Sequence, residues 1–264
     1  MLSMLRAIWS YRYFVFSSIK NELRSRFIRS KLGALWMIIH PLAQVLIFAL
    51  ILSEVLSAKL PGVDSKFAYS LYLMAGTLGW TLFSETINKC VGLFVDNANI
   101  LKKMAFPRIS LPVIAAGTMV VNNVLLLAAI FGVFAALGHM PGYQVVWLPL
   151  LMLVTLLVGL SLGMVLGVLN VFMRDISQVV PVVLQALFWM TPVVYTLSIL
   201  PESYRRLFSY NPLYPLITSY QNVLVFDKPP LFHELLLLAG ASLVMLIVGL
   251  LMFRRANAEM VDVL

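Results

Sequence analysis

The sequence predicts an all-α integral membrane protein with six transmembrane helices and an N-terminal amphipathic helix at the membrane interface. Three observations carry the prediction. Of 264 residues, 61% are hydrophobic and only 11% charged, whereas a soluble domain is about a quarter charged. Apolar stretches long enough to cross the hydrocarbon core, roughly 20 residues each, recur along the chain. Lysines and arginines gather between alternate stretches.

The elements follow in order. Residues 1–33 carry Leu5, Ile8, Trp9, Phe16, Ile19, Leu23 and Phe27 at helical spacing, with basic residues around the rest of the circumference. This reads as a cytoplasmic interfacial helix, either a plain anchor or a surface that also holds a partner. Arg12 interrupts the only apolar core that could serve a cleavable signal, so the segment is expected to remain in the mature protein. The transmembrane domain, 34–253, contains spans at 34–57, 67–95, 110–137, 147–172, 176–200 and 232–253. The fifth holds Pro181 and Pro192, so a kinked, broken or re-entrant helix is expected there. Residues 254–264 form a short tail.

Charge sets the orientation. Fourteen of the nineteen lysines and arginines fall in 1–33, around 89–108, at Arg174 and at Arg254–Arg255. The positive-inside rule then puts both termini in the cytoplasm. The net charge of +8 answers to anionic lipid and not to nucleic acid.

Between the second and third spans, 96–109 forms a cytoplasmic loop. Asn99, Leu101, Lys102, Lys103 and Met104 allow barely two helical turns before Phe106-Pro107-Arg108, and Pro112 follows. Two readings stand for this segment: a rigid knob offering apolar and basic contacts, or a simple positive-inside turn. Glu85 and Lys89 have the spacing of an intrahelical ion pair. Asn122 and Asn123 are expected to bond across helices. Gly159, Gly163 and Gly167 make one smooth helix face for close packing. Arg174-Asp175 is expected to be a local ion pair. The segment 201–231 is rich in aromatics, among them Tyr204, Tyr210 and Tyr214. It is either a headgroup-level belt or, with Phe188, Trp189 and Tyr195, part of a path for sugars.

Several classes are disfavoured. The lone Cys90 forms no disulfide within the chain, and three separated histidines have no metal-ligand spacing. There is no phosphate-binding G-x-x-x-x-G-K loop and no H-E-x-x-H. No acid-rich span of an ion-coupled pump and no internal repeat is visible. Six spans leave little room for a wide channel, so a homodimer with the path at its two-fold interface is the economical arrangement.

Taken together, the segments resemble the membrane (permease) subunit of bacterial polysaccharide ABC exporters of the O-antigen, capsule and teichoic-acid type. The resemblance rests on four motifs in order. The first is Arg29-Ser30-Lys31-Leu32-Gly33-Ala34-Leu35-Trp36 with His40-Pro41-Leu42; the second is 97–112 with Phe106-Pro107-Arg108. The third is Arg174-Asp175-Ile176 with Phe188, Thr191-Pro192-Val193 and Tyr195; the fourth is Asn211-Pro212-Leu213.

The resemblance implies a homodimer in the bacterial inner membrane working with two separate ATPase subunits. The chain itself would hold no cofactor, with ATP and Mg bound by those subunits. The segment 97–108 would fit a cleft on the ATPase. The substrate would be a glycan on a polyprenyl diphosphate lipid, passing aromatic residues with 201–231 as an external gate. The competing readings are an ion-coupled or stand-alone lipid-linked glycan flippase, for which Glu85 is the available acid, and a structural subunit for glycan-synthesis enzymes.

Overall fold

The computed structural model describes residues 9–28, 35–36, 39, 42–43, 68–103, 108–197, 208, 210–256 and 259–260. Every regular element among the described residues is helical: α1 (Arg12–Ile28), α2 (Ala68–Asp96), α3 (Ala98–Lys103), α4 (Ser110–Ala136), α5 (Leu148–Phe172), α6 (Ile176–Met190), α7 (Tyr214–Gln221) and α8 (Phe232–Ala256). A 3-10 turn, Tyr143–Trp147, leads into α5, and a π-turn, Asn222–Phe226, extends α7. The expected first span, 34–57, lies outside the described residues apart from Leu35, Trp36, Ile39, Leu42 and Ala43.

Among the described residues, three helices are long and apolar enough to cross a membrane: Ser110–Ala136, Tyr143–Phe172 with its 3-10 lead-in, and Phe232–Ala256. Each matches a stretch read from the sequence. At 29 residues α2 has the length as well, but carries Glu85, Lys89 and Asp96 in its second half. With 15 residues α6 rises only about 22 Å, short of the ~30 Å core. Pro181 is accommodated inside α6, and the helix stops where Thr191 turns extended (φ −105, ψ 136) ahead of Pro192. The break in the fifth stretch is therefore real, and its cause is the second proline.

The core forms around α2, whose first half is almost wholly buried. The glycine face of α5 lies against it, as the spacing predicts. A methyl group on Gly159 would fall 2.9 Å from Thr86 Cβ, on Gly163 2.5 Å from Cys90 Cβ, and on Gly167 2.3 Å from the Cys90 carbonyl oxygen. Only hydrogen on these α-carbons permits the approach. On the other side of α5, Gly249 of α8 meets Met164 and Val165. The outer face of α8, including Leu236, Leu237, Leu243 and Val244, is exposed.

Between α2 and α5 sits α7, burying Leu216, Ile217 and Tyr220. The Tyr220 ring lies on Gly79, where an added methyl would come within 2.6 Å of it. Thr155 Oγ1 donates to the Leu151 carbonyl at 2.7 Å, so the Tyr220 hydroxyl, 3.0 Å away, is the donor between the two. Asn123 donates to the Leu78 carbonyl at 3.0 Å, the cross-helix bond its position predicts. Within lipid such bonds and close van der Waals packing hold helices together, because lipid offers no hydrophobic drive between them.

α4 ends in a Schellman motif. Gly138 adopts a left-handed φ of +73°, the His139 amide donates to the Phe134 carbonyl, and the Gly138 amide to that of Ala135. The chain then reverses toward α5.

Candidate functional site

The candidate side chains fall at two ends of the bundle. Among the described residues, the end where α2 finishes and α4 begins carries most of the basic side chains, and the opposite end holds Phe188, Trp189, Tyr195 and Tyr214.

At the basic end, Asn97 caps the transition from α2 to α3. Its amide donates to the Leu93 carbonyl at 2.8 Å, and its own carbonyl accepts from the Leu101 amide at 2.9 Å. Leu101 is buried with Leu93, Phe94, Leu111, Phe253 and Met260, while Asn99 and Lys102 are exposed. The apolar residue thus anchors α3 inward, and the polar residues form its outer face. Arg108 is half-buried where α4 begins, and Lys103 closes α3. Met104, Phe106 and Pro107 lie outside the described residues.

α1 lies across this junction. Its inward face runs Val15, Ser18, Ile19 and Glu22, at the three-and-four spacing of one helix face. Ile19 Cδ1 occupies the space beside Gly117, where a methyl would be 2.4 Å away. The Glu22 carboxylate forms an ion pair with Lys89 and accepts from Thr118 Oγ1 at 3.3 Å. Lys89 therefore has a partner on another helix, which the spacing to Glu85 did not reveal. The sequence stripe also mixes two faces: Trp9 and Phe16 are exposed at 72% and 70%. The Arg12 guanidinium sits over the Trp9 and Tyr13 rings at 5.3 and 4.8 Å.

The turn between α5 and α6 is held by Asn170, which sequence reasoning missed. Its amide donates to the Val91 carbonyl at 2.9 Å, and its side-chain oxygen accepts from the Ser177 amide at 3.1 Å. One side chain thereby ties the start of α6 to α2. A buried amide in an apolar span is the signal that would have found it. Arg174 and Asp175 are both exposed, and the expected ion pair between them does not form.

At the far end, Phe188 is buried edge-on to Trp80 (5.4 Å) and Trp189 (5.5 Å), while Trp189 itself is half exposed. The Tyr195 hydroxyl donates to the Trp189 carbonyl at 2.8 Å, and its ring meets Phe208. The structure brings Phe188, Trp189 and Tyr195 together. Tyr210 is exposed, Tyr214 lines a pocket with Tyr72 and Pro192, and Tyr204 lies outside the described residues.

The Thr191-Pro192 segment is the joint of this end. Thr191 Oγ1 donates to the Leu187 carbonyl at 2.8 Å and accepts from the Asn211 amide at 2.9 Å. Asn211 also donates to the Met190 carbonyl and accepts from the Leu213 amide, closing an Asx turn that starts α7. The carbonyl groups exposed by the break in α6 are met by side chains of other elements. Pro192 accepts from Gln221 at 3.0 Å and from Tyr72 at 3.3 Å, and Val194 accepts from Tyr69. Irregular backbone within a membrane-spanning stretch is tolerable only when so satisfied. Tyr69, Tyr72 and Gln221 were not found from sequence, since their acceptors are backbone carbonyls that leave no sequence signal. Among the described residues no group of histidine, cysteine or carboxylate side chains has metal-binding geometry.

A helix bundle with long apolar helices and aliphatic outer faces is a multi-pass membrane protein. The ABC-2 type transporter family profile matches residues 13–225, so the chain belongs to that family of transporter membrane proteins. Among its relatives are the O-antigen export system permease proteins RfbA of Myxococcus xanthus and Klebsiella pneumoniae. The first is 29% identical over 99% of both chains, the second 26% over 92% of both. The polysialic acid transport protein KpsM of Escherichia coli is 24% identical over 91% of this chain and 92% of its own.

Proposed function

We propose that this chain is the permease subunit of an ABC exporter that moves a lipid-linked, O-antigen-like polysaccharide across the bacterial inner membrane. Two copies form the path with six helices each, both termini are cytoplasmic, and two separate subunits bind ATP and Mg. The substrate carrier is a polyprenyl diphosphate. Family membership and the names of the relatives support the class.

The observation that carries the coupling role is the build of α3. Its buried Leu101 sits among residues of α2, α4 and α8 and the Met260 tail, and Asn99 and Lys102 project outward. A push on that outer face from a closing ATPase would pass through Leu101 to three long helices at once. The segment's basic charge suits an acidic cleft. Because Leu101 holds the joint together, its replacement by aspartate would damage the fold; the exposed residues are the better probes.

Asn99→Asp combined with Lys102→Glu should abolish surface glycan and export-linked ATP hydrolysis while membrane insertion and thermal stability stay normal. Normal surface glycan in that variant would remove the coupling assignment.

A further inference from the structure

At the far end a pocket of about 260 Å³ opens between α2, the Pro192 segment and α7. Tyr72, Pro192, Gln221 and Phe226 form walls, and the Tyr72–Pro192–Gln221 hydrogen bonds hold three of them in place. Tyr214, Thr218 and Asn222 lie four residues apart and line the pocket from one face of α7 and its π-turn, while Leu216, Ile217 and Tyr220 bury the opposite face. Lys228 lies at the mouth, its ammonium 5.8 Å from the Phe226 ring centre.

Among the described residues, the side chains of Tyr214, Thr218, Asn222 and Lys228 make no hydrogen bond to protein. Hydroxyl, amide and ammonium groups therefore converge on one cavity beside aromatic rings, on a wall already fixed by its own bonds. That is the donor set a pyranose ring uses: carbon–hydrogen faces against aromatics, hydroxyls against amides and hydroxyls. The volume falls below the roughly 300–1,000 Å³ of drug-sized sites and suits one ring.

Charge narrows the ligand. Among the described residues, Lys228 is the charged residue of the lining. Its neighbour Asp227 adopts a left-handed φ of 48° and turns its carboxylate onto the α4–α5 turn, where a methyl on Gly142 would be 2.2 Å from Oδ1. The turn removes a carboxylate that would otherwise oppose an anion at the mouth.

We propose that this pocket is a binding subsite for a single sugar ring bearing a carboxylate or phosphate. Tyr214, Thr218 and Asn222 meet its hydroxyls and Lys228 its anionic group. The inference deepens the glycan-export reading and rests on it for the origin of the ligand, but not for the ligand's chemistry.

The test is saturation-transfer NMR on the full chain in phosphatidylcholine nanodiscs, titrated with glucuronosyl-glucose and, separately, with neutral cellobiose. The expected result is binding of the acidic disaccharide at least tenfold tighter than the neutral one. Thr218→Val with Asn222→Leu should weaken both sugars at least tenfold, and Lys228→Gln should erase the preference between them. Melting temperatures within a few degrees of the parent would show that these part-exposed changes leave the fold intact. No binding of either sugar, or equal binding by parent and variants, would overturn the subsite. So would displacement of the acidic sugar by phosphatidylglycerol in the nanodisc, which would make the pocket a lipid headgroup site. Loss of the export reading is registered separately, by surface glycan that persists without this chain, and would leave the binding result standing.

Discussion

Replacing Gly167 by alanine adds one methyl group 2.3 Å from the Cys90 carbonyl oxygen and 3.2 Å from its carbon. Backbone atoms inside a helix cannot step aside, so α5 must tilt or shift away from α2. Forcing an extra methyl into a packed interface costs about 1–3 kcal/mol. At roughly 2–4 °C per kcal/mol for a chain of this size, the melting temperature in detergent should fall by roughly 2–12 °C. Gly163→Ala, which meets Cys90 Cβ at 2.5 Å, and Gly159→Ala, which meets Thr86 Cβ at 2.9 Å, should follow in decreasing order. Gly240 is the control. Nothing lies within 4 Å of a methyl there, so Gly240→Ala should gain helix propensity, about 0.5–1 kcal/mol, and melt no lower than the parent. The assay is fluorescence-detected size-exclusion after a heat step, with the four variants side by side. If Gly167→Ala and Gly240→Ala melted together, the close packing of α2 on α5 would be refuted.

Other consequences follow from single contacts. Tyr220→Phe keeps the ring on Gly79 but removes the hydroxyl from Thr155, and should lower stability by about 0.5–1.5 kcal/mol with the elution profile unchanged. In a double-mutant cycle, Glu22→Gln and Lys89→Met should show a coupling of about 1 kcal/mol. Each single variant should also speed proteolysis within α1; additive effects would mean the ion pair does not fasten that helix. Trp189→Ala should lower glycan export more than stability, because Trp189 is half exposed beside Tyr195; equal losses would assign it to packing. Glu85→Gln should leave transport intact, and its loss would favour an ion-coupled carrier.

The helices α4, α5 and α8 were legible because lipid demands long apolar stretches, and composition alone satisfies that demand. The glycine face of α5 was legible for a related reason: four-residue spacing survives folding unchanged. Pro192 marked the break in α6, but not where the chain goes afterwards. The placement of α7 between α2 and α5 depends on Tyr72, Gln221 and Asn211 meeting carbonyl groups that every residue possesses. Glu22 and Lys89 stand 67 positions apart, so their pairing appears only once α1 is packed on the bundle. The local rule for Glu85 and Lys89 looks only along one helix, so it carries no signal for the cross-helix pair that Lys89 makes with Glu22. At the basic end, pattern suggested that Leu101 faces a partner, whereas its size and apolarity make it the residue that α3 buries.

On the proposed function, this chain is one half of a membrane unit driven by ATPase subunits at its basic end. Native mass spectrometry of the tagged chain, purified gently from its own membrane, decides between this and a chain that works alone. The expected result is an assembly of two copies of this 29.6 kDa chain with two copies of a nucleotide-binding subunit. The ATPase pair should dissociate when Asn99→Asp and Lys102→Glu are introduced together. A stable assembly of this chain alone, transporting glycan without ATP, would contradict it.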